Sequence, residues 1–128
     1  MNTDDRTRRA AEARAKLFPS GTPSDKPPAV PASAEISKLM KDQAFGEVWS
    51  RPGLALKIRS LITVSILASQ RGGRELQTHI EGALNAGATQ EEVLEALLQT
   101  SVYAGMPAYA HGLAAAEAVF RKRGLLPA

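Results

Sequence analysis

The sequence predicts an all-α protein of five to six helices, preceded by a proline-rich N-terminal arm. From Ser33 onwards, apolar residues recur at helical spacing, and glycine or proline separates one such run from the next. Hydrophobic residues make up 44% and charged residues 23% of the 128 residues, which is typical of a soluble globular chain. A chain of this length forms one core of its own, predicted at residues 33–128 after an arm at residues 1–32.

The predicted arm has two parts. Residues 2–17 carry four alanines among charged residues and predict a short charged helix. Prolines and glycines from Pro19 to Pro31 then exclude both a regular helix and a central strand. Such a segment either lies across a neighbouring subunit or is disordered.

Two helices are predicted in the first half of the domain. Ser33 suits an N-cap, and the apolar residues from Ile36 to Val48 follow at helical spacing until a turn at Pro52-Gly53. Residues 56–68 are apolar on nearly every side, which indicates a helix in the middle of a bundle or of an oligomer. The β-branched residues within this run do not make it a strand, because the run is too long and lacks turn signals.

Three further helices are predicted from their end signals. A helix begins or ends where glycine, a capping box or an N-terminal proline stands next to an apolar run. These signals are Gly72-Gly73 before a helix at 74–86, Gly87 after it, the capping box of Thr89 and Glu92, Gly105 and Pro107 between the last two helices, and Gly124 at the end.

Composition excludes several classes of function. Lys and Arg exceed Asp and Glu by only 16 to 13, and no aromatic residues interleave with the basic cluster near the N-terminus, so nucleic-acid binding is not expected. No apolar stretch approaches the roughly 20 residues of a membrane span, and residues 1–20 lack a signal-peptide core, so we expect no membrane association and a cytoplasmic location. The chain has no cysteine and therefore no thiol nucleophile or Cys-ligated zinc.

His79 and His111 are the only side chains whose ordinary pKa lies near neutrality. Glu75 lies one helical turn before His79, where a carboxylate can orient an imidazole and raise its pKa, as proton transfer requires. The alternative is a surface pair of no function. The two histidines could bind a metal with Glu75 or Glu117, but no HxxxH or ExxH pattern supports this, and we predict no metal.

Residues 45–54 place the only tryptophan, Trp49, between Glu47 and Arg51 around a turn. A single tryptophan at a helix end is either a core or interface anchor or the wall of a ligand site. Farther along, Arg59 interrupts an apolar helix and needs an anionic partner. That partner is Glu47, another subunit or a bound carboxylate.

Several blocks of the sequence, in order and at matching spacing, together resemble the γ-carboxymuconolactone decarboxylase family. They are FGEVWSRPGL at 45–54, RSLIT at 59–63, LQTHIEGALNAG at 76–87, TQEE at 89–92 and YAGMPA at 103–108. The resemblance covers about residues 33–123 and implies an alkyl hydroperoxidase D-like helical fold that assembles as trimers or hexamers. The related peroxidases use Cys-x-x-Cys-x-x-x-His. If that histidine is matched to His79, the two cysteines fall on Gly72 and Glu75, so thiol peroxidase activity is not expected.

The resemblance implies decarboxylation of 4-carboxymuconolactone, a small dianionic lactone, to the 3-oxoadipate enol-lactone in aromatic catabolism. No cofactor is implied, because the lactone carbonyl of the substrate itself accepts the electron pair. Implied roles are proton donation or oxyanion stabilisation by His79 with Glu75 or Glu47, carboxylate binding by Arg51 or Arg59, and pocket walls from Trp49, Leu76 and Tyr103.

Two other classes of function stay open from the sequence. A related lyase, isomerase or hydrolase could use the same pocket on another small carbonyl acid. A helical oligomer without enzymatic activity would have Arg59 paired with Glu47 and His79 solvated on a helix surface. The resemblance does not decide between trimer and hexamer, nor which arginine binds the substrate.

Overall fold

The structure, a computed structural model, describes residues 3–26 and 29–127. It confirms the all-α prediction, since the residues described contain helices and no strand. The α-helices are α1 (Thr3–Leu17), α2 (Pro31–Lys41), α3 (Leu56–Ser69), α4 (Arg74–Asn85), α5 (Gln90–Ala104) and α6 (Met106–Lys122), with a 3-10 turn at Pro23–Asp25 and a π-helix at Asp42–Trp49. Among these helices, none has both the length and the apolar character needed to traverse a bilayer.

The chain divides into two compact units, Met1–Leu54 and Ala55–Ala128. In the first unit, α1 packs chiefly against the π-helix, which directly continues α2. The predicted division at residue 32 between an arm and a domain stays a prediction, as does the contact of the arm with a neighbouring subunit.

The core of the second unit lies among α3, α4, α5 and α6. Each helix contributes apolar side chains that are almost wholly buried, and most of them are small or aliphatic, so that the helices approach closely. The core residues are Val64 and Ala68 of α3, Leu76, Ile80 and Ala83 of α4, Val93 and Leu97 of α5, Ala115, Ala116, Val119 and Phe120 of α6, and Ala88.

Local signals place the ends of these helices largely as predicted. Gly87, with φ of +101°, follows α4 in a left-handed conformation that glycine adopts at little cost. The predicted capping box opens α5, since Glu92 N donates to Thr89 Oγ1 and Thr89 N donates to Glu92 Oε1, both at 3.0 Å. The end of α3 differs, because Arg71 rather than a glycine takes the left-handed position, with φ of 55°.

Two details of the first unit differ from the sequence prediction. The hydroxyl of Ser33 donates to the carbonyl oxygen of Val30 at 2.6 Å, and Val30 is the N-cap, because Pro31 already suits the first turn of α2. The second difference is that α2 gives way at Asp42 to a π-helix, whose i→i+5 hydrogen bonds accommodate one more residue per turn. The apolar spacing predicted only an ordinary helix as far as Val48.

Asp25 in the 3-10 turn connects α1 to α2. Its Oδ1 accepts from Arg14 Nη2 at 2.7 Å and from Lys41 Nζ at 3.0 Å, and its other oxygen accepts from Thr22 N at 2.7 Å. Burial by itself raises the pKa of Asp25, but the bonds from Lys41 and Thr22 and the charge of Arg14 outweigh it and lower the pKa to about 2. The charged form of Asp25 therefore stabilises the folded first unit.

Replacing Asp25 with Asn should lower the stability of the first unit by about 1 kcal/mol at pH 6, a modest value because the carboxylate is 41% exposed and screened by water. The folded pKa is depressed, so the stabilisation is present above pH 4 and is lost as the pH falls towards 2. Urea unfolding followed by Trp49 fluorescence at several pH values measures the difference between the two proteins.

The control is Glu35→Gln, which neutralises an exposed carboxylate on α2. It should change stability by less than about 0.5 kcal/mol at every pH. A difference between the parent and Asp25→Asn that stays constant from pH 6 to pH 2 would contradict the role of the charged Asp25.

Candidate functional site

The candidate proton-transfer group, His79, lies on α4 one turn after Glu75. Its Nε2 is 4.0 Å from Glu75 Oε2, a distance at which charges attract but a hydrogen bond is not formed. The side chain of His79 is 12% exposed, whereas that of Glu75 is 63% exposed. The alternative in which His79 is a solvated surface residue is therefore wrong. The carboxylate at this distance attracts a proton charge on the ring, whereas burial of the ring opposes that charge.

Core packing determines where His79 lies. Leu76, Ile80 and Ala83 recur at intervals of three and four along α4, and all are wholly buried in the core of the second unit. His79 lies next to this stripe, so burial of the stripe fixes the rotation of α4 and holds the imidazole at the border of the core. Leu76 is confirmed as a buried residue of this helix, and its role as a pocket wall stays a prediction.

The second histidine, His111, has a structural contact. Its Nε2 lies 3.0 Å from the carbonyl oxygen of Gly72, in the loop that joins α3 to α4. Because a carbonyl only accepts hydrogen bonds, the contact requires a proton on Nε2. The bond joins α6 to the loop just before α4, at the residue that follows the left-handed Arg71. Within the part of the chain that the structure describes, no group of three or more His, Asp or Glu residues is placed to hold a metal ion.

The other candidates in the second unit are Arg59 and Tyr103. Arg59 is partly buried on α3, with its Nε atom in the interior, and its carbonyl oxygen accepts from Thr63 Oγ1 at 2.8 Å. Tyr103, near the end of α5, is 84% exposed. The predicted substrate contacts of both residues stay predictions.

The remaining candidates, Glu47, Trp49 and Arg51, belong to the first unit. Glu47 Oε1 pairs with Arg6 Nη1 at 3.0 Å, which gives this carboxylate a cationic partner on α1. The ring of Trp49 stacks on Phe45, with centroids 5.4 Å apart and planes 17° apart. Arg51 is exposed just after the π-helix. Glu47 and Trp49 thus lie on the π-helix, and Arg51 follows two residues after its end.

Sequence reasoning did not identify Arg6 and Arg9 as neighbours of this segment. Arg9 Nε donates to the carbonyl oxygen of Gly46 at 2.9 Å. The signal that could have found them is the spacing along α1, where Arg6 and Arg9 share a face with the buried Ala10 and Ala13.

A cavity of about 380 Å³ lies in the first unit among α1, the 3-10 turn and α2. Its charged lining includes Arg14, Lys38 and Lys41 together with Asp25 and Asp42. Each of these carboxylates is already bonded to cations of the lining, Asp25 to Arg14 and Lys41, and Asp42 to Lys38. The cavity contains none of the candidate catalytic or substrate-binding residues, and we interpret it as a salt-bridged groove.

Known proteins resemble this chain in the region that contains the candidate site. The model of the Carboxymuconolactone decarboxylase family matches residues 34–118, which include every candidate site residue named above. A 4-carboxymuconolactone decarboxylase of Acinetobacter baylyi is 43% identical over 84 residues, which cover 66% of this chain and 63% of that protein. A nitrosuccinic acid decarboxylase of Metarhizium robertsii is 42% identical over 79 residues, which cover 62% of this chain and 55% of that protein. The chain therefore spans less than two thirds of the length of either relative.

Replacing His111 with Ala should lower the free energy of unfolding of the second unit by about 1 kcal/mol, because the bond to Gly72 is lost. Urea denaturation followed by circular dichroism measures the change. Gln99→Ala, which shortens an exposed side chain on α5, should change it by less than about 0.5 kcal/mol. Equal effects of the two substitutions would contradict the structural role of His111.

Proposed function

The chain belongs to the carboxymuconolactone decarboxylase family, and on that premise we propose that it is a carboxy-lyase that converts 4-carboxymuconolactone to the 3-oxoadipate enol-lactone. The observation that carries the proposal is the sheltered His79 beside Glu75, within the region that matches the family. The 43% identical relative bears the name of this activity. We place the reaction in aromatic catabolism, in the β-ketoadipate pathway, and the enzyme in the cytoplasm, where a chain without cysteines suits reducing conditions.

The proposed reaction breaks the bond between a ring carbon and its carboxylate, and CO2 leaves. The electron pair of that bond moves through the ring double bond to the lactone carbonyl and forms a dienolate. A proton then adds to the ring carbon next to the carbonyl, which gives the enol-lactone. The substrate supplies its own electron sink, so the proposal includes no cofactor. The protein must stabilise charge on the carbonyl oxygen and supply one proton.

His79 is the proposed proton donor, or the donor of a hydrogen bond to the developing oxyanion. Glu75 is its proposed partner, because the 4.0 Å separation lets the carboxylate stabilise the protonated imidazole. Shielding from water strengthens the interaction of His79 with the oxyanion and that of Glu75 with the imidazole.

The substrate also keeps a carboxylate that does not react. We propose Arg51 or Arg59 as its binding group, since a guanidinium holds a carboxylate through paired hydrogen bonds. Trp49 and Tyr103 are the proposed apolar contacts of the ring.

A second candidate substrate is nitrosuccinic acid or a related small dicarboxylic acid. The 42% identical relative is named for decarboxylation of that compound. A nitro group, like a lactone carbonyl, accepts the electron pair that departing CO2 leaves behind. The same residues could therefore serve either substrate, with His79 supplying the proton.

Turnover of 4-carboxymuconolactone by the metal-stripped protein, followed by ultraviolet absorbance, tests the proposal. In His79→Ala we expect kcat/KM to fall at least about 100-fold, the usual contribution of a positioned acid or base. His111→Ala removes the other histidine and should retain turnover within about threefold, because His111 makes a structural contact.

Each outcome decides a separate point. Unchanged turnover in His79→Ala would remove His79 from the chemistry. Turnover of nitrosuccinic acid without turnover of the lactone would replace the proposed substrate. Turnover of neither compound by the parent protein would overturn the decarboxylase proposal.

We also propose that the protein is a homo-oligomer, a trimer or hexamer, in which the second unit contacts a second copy of the chain. α3 and α5 are neighbours, since Ser65 Oγ donates to the carbonyl oxygen of Ala96 at 3.0 Å, and both helices expose apolar stripes. Exposed apolar patches commonly mark association sites. The stripes are Ile58, Ile62 and Ile66 on α3, and Leu94, Leu98 and Val102 on α5.

Light scattering after size-exclusion chromatography measures the mass against the 13.6 kDa of one chain. We expect a mass three or six times that value for the parent and a smaller one for Leu98→Glu, which places a charge within the stripe. Gln99→Glu adds the same charge at the next exposed position and should leave the mass unchanged. A monomeric parent protein would contradict the proposal, as would an unchanged mass in Leu98→Glu.

A further inference from the structure

We propose that α1 is a positioning element of the substrate site, and that its contact with the π-helix sets where Trp49 and Arg51 lie. This contact, here called the α1–π contact, consists of Arg6 and Arg9 of α1 against Gly46 and Glu47. It lies wholly within the first unit. The inference rests on the proposed function only for the substrate-binding roles of Trp49 and Arg51.

Gly46 permits the close approach of the two helices. A Cβ atom at this position would lie 2.4 Å from the carbonyl oxygen of Arg6 and 2.7 Å from its Cγ. The carbonyl oxygen of Arg6 belongs to the backbone, which cannot change rotamer to relieve the clash as a flexible side chain can. Any side chain at position 46 therefore moves α1 and the π-helix apart.

Polar bonds hold the helices in this position. The carbonyl oxygen of Gly46 accepts from Arg9 Nε at 2.9 Å and from Ser50 Oγ at 2.6 Å. At the next residue, the carboxylate of Glu47 pairs with Arg6 at 3.0 Å. Bonds to charged groups in partly buried positions are stronger than neutral ones, so α1 stabilises the part of the π-helix closest to Trp49.

The beginning of the π-helix is held by a second set of contacts. Asp42 is buried, and its Oδ2 accepts from Thr7 Oγ1 at 3.0 Å and from Lys38 Nζ at 2.6 Å. The hydrogen bond from Lys38 is the main reason that the pKa of Asp42 lies below its ordinary value. Because Thr7 follows Arg6 directly, one turn of α1 contacts both the start of the π-helix at Asp42 and its later residue Glu47.

An aromatic series extends these contacts to the tryptophan. Phe18, just after α1, meets the ring of Phe45 edge to face at 6.1 Å, and Arg14 lies 4.9 Å above the same ring. Phe45 in turn stacks on Trp49 at 5.4 Å. The orientation of the indole therefore depends on residues at the end of α1 as well as on the backbone at Gly46.

Because the segment is a π-helix, the positions of Trp49 and Arg51 depend strongly on the α1–π contact. A π-helix holds one more residue per turn than an α-helix, and it is a rare conformation that needs support from its surroundings. An α-helix turns by about 100° per residue and a π-helix by less, so a return to α geometry would rotate the residues beyond the segment about the helix axis. Trp49 and Arg51 would then face another direction.

Gly46→Ala tests the inference. We expect KM for 4-carboxymuconolactone to rise at least about tenfold, with kcat within about threefold of the parent, because substrate contacts move while His79 and Glu75 lie on α4 in the second unit. Trp49 is the only tryptophan, so its emission and its quenching by acrylamide report directly on the indole. Both should change in Gly46→Ala.

Gly53→Ala is the matched control, since a Cβ at Gly53 meets nothing within 4 Å. It should keep the KM and the Trp49 emission of the parent. If Gly46→Ala does not fold, Arg9→Met decides, because it removes the donor to Gly46 and keeps an apolar stem. Its control is Arg8→Met on the exposed side of α1, and KM and emission should change only in Arg9→Met.

The emission and the kinetics separate the two proposals. Parent-like Trp49 emission and quenching in folded Gly46→Ala, or in Arg9→Met where Gly46→Ala does not fold, would overturn the inference whether or not the parent turns over the lactone. Changed emission with unchanged KM would overturn the substrate-positioning role. A loss confined to kcat would also overturn that role. Absence of turnover in the parent, with altered emission in the variant, would overturn the proposed function and, with it, the substrate role of the α1–π contact.

Discussion

Burial of the apolar stripe on α4 is the interaction on which the candidate site depends. Leu76, Ile80 and Ala83 are removed from water against the other helices of the second unit, and this fixes how α4 is rotated. His79 borders the stripe and consequently loses most of its contact with solvent, while Glu75 retains it. The imidazole is thus largely removed from water while the carboxylate stays hydrated, so that only one member of the pair is desolvated.

In the first unit, the main structural requirement is to stabilise the π-helix. A π-helix has weak intrinsic stability, and here its support comes from α1, through a glycine that lets the backbones meet and through arginines that bond to the carbonyl and carboxylate groups at positions 46 and 47. The basic cluster near the N-terminus thus acts within the fold, on carboxylates and carbonyls of its own chain.

Features that depend on neighbours in sequence were predicted well. The capping box of Thr89 and Glu92 and the left-handed Gly87 are confirmed, because a cap is decided within one turn of helix. Ser33 was wrong as a cap, since Pro31 two residues earlier competes for the same helix start. The π-helix was missed because the apolar spacing near Val48 does not distinguish it from an α-helix. At the candidate site, the sequence paired His79 with Glu75 through their spacing, but spacing alone left open a solvated surface pair.

The helical class, most helix limits and the family to which the chain belongs follow from the sequence alone, because periodicity, caps and motif spacing depend on residues that are close together along the chain. Tertiary structure alone decided that His79 is sheltered, that His111 bonds to Gly72 and that Glu47 pairs with Arg6, 41 positions away. Each of these facts depends on which helix faces meet. Several arrangements of the same amphipathic helices satisfy one pattern, and only close packing selects among them.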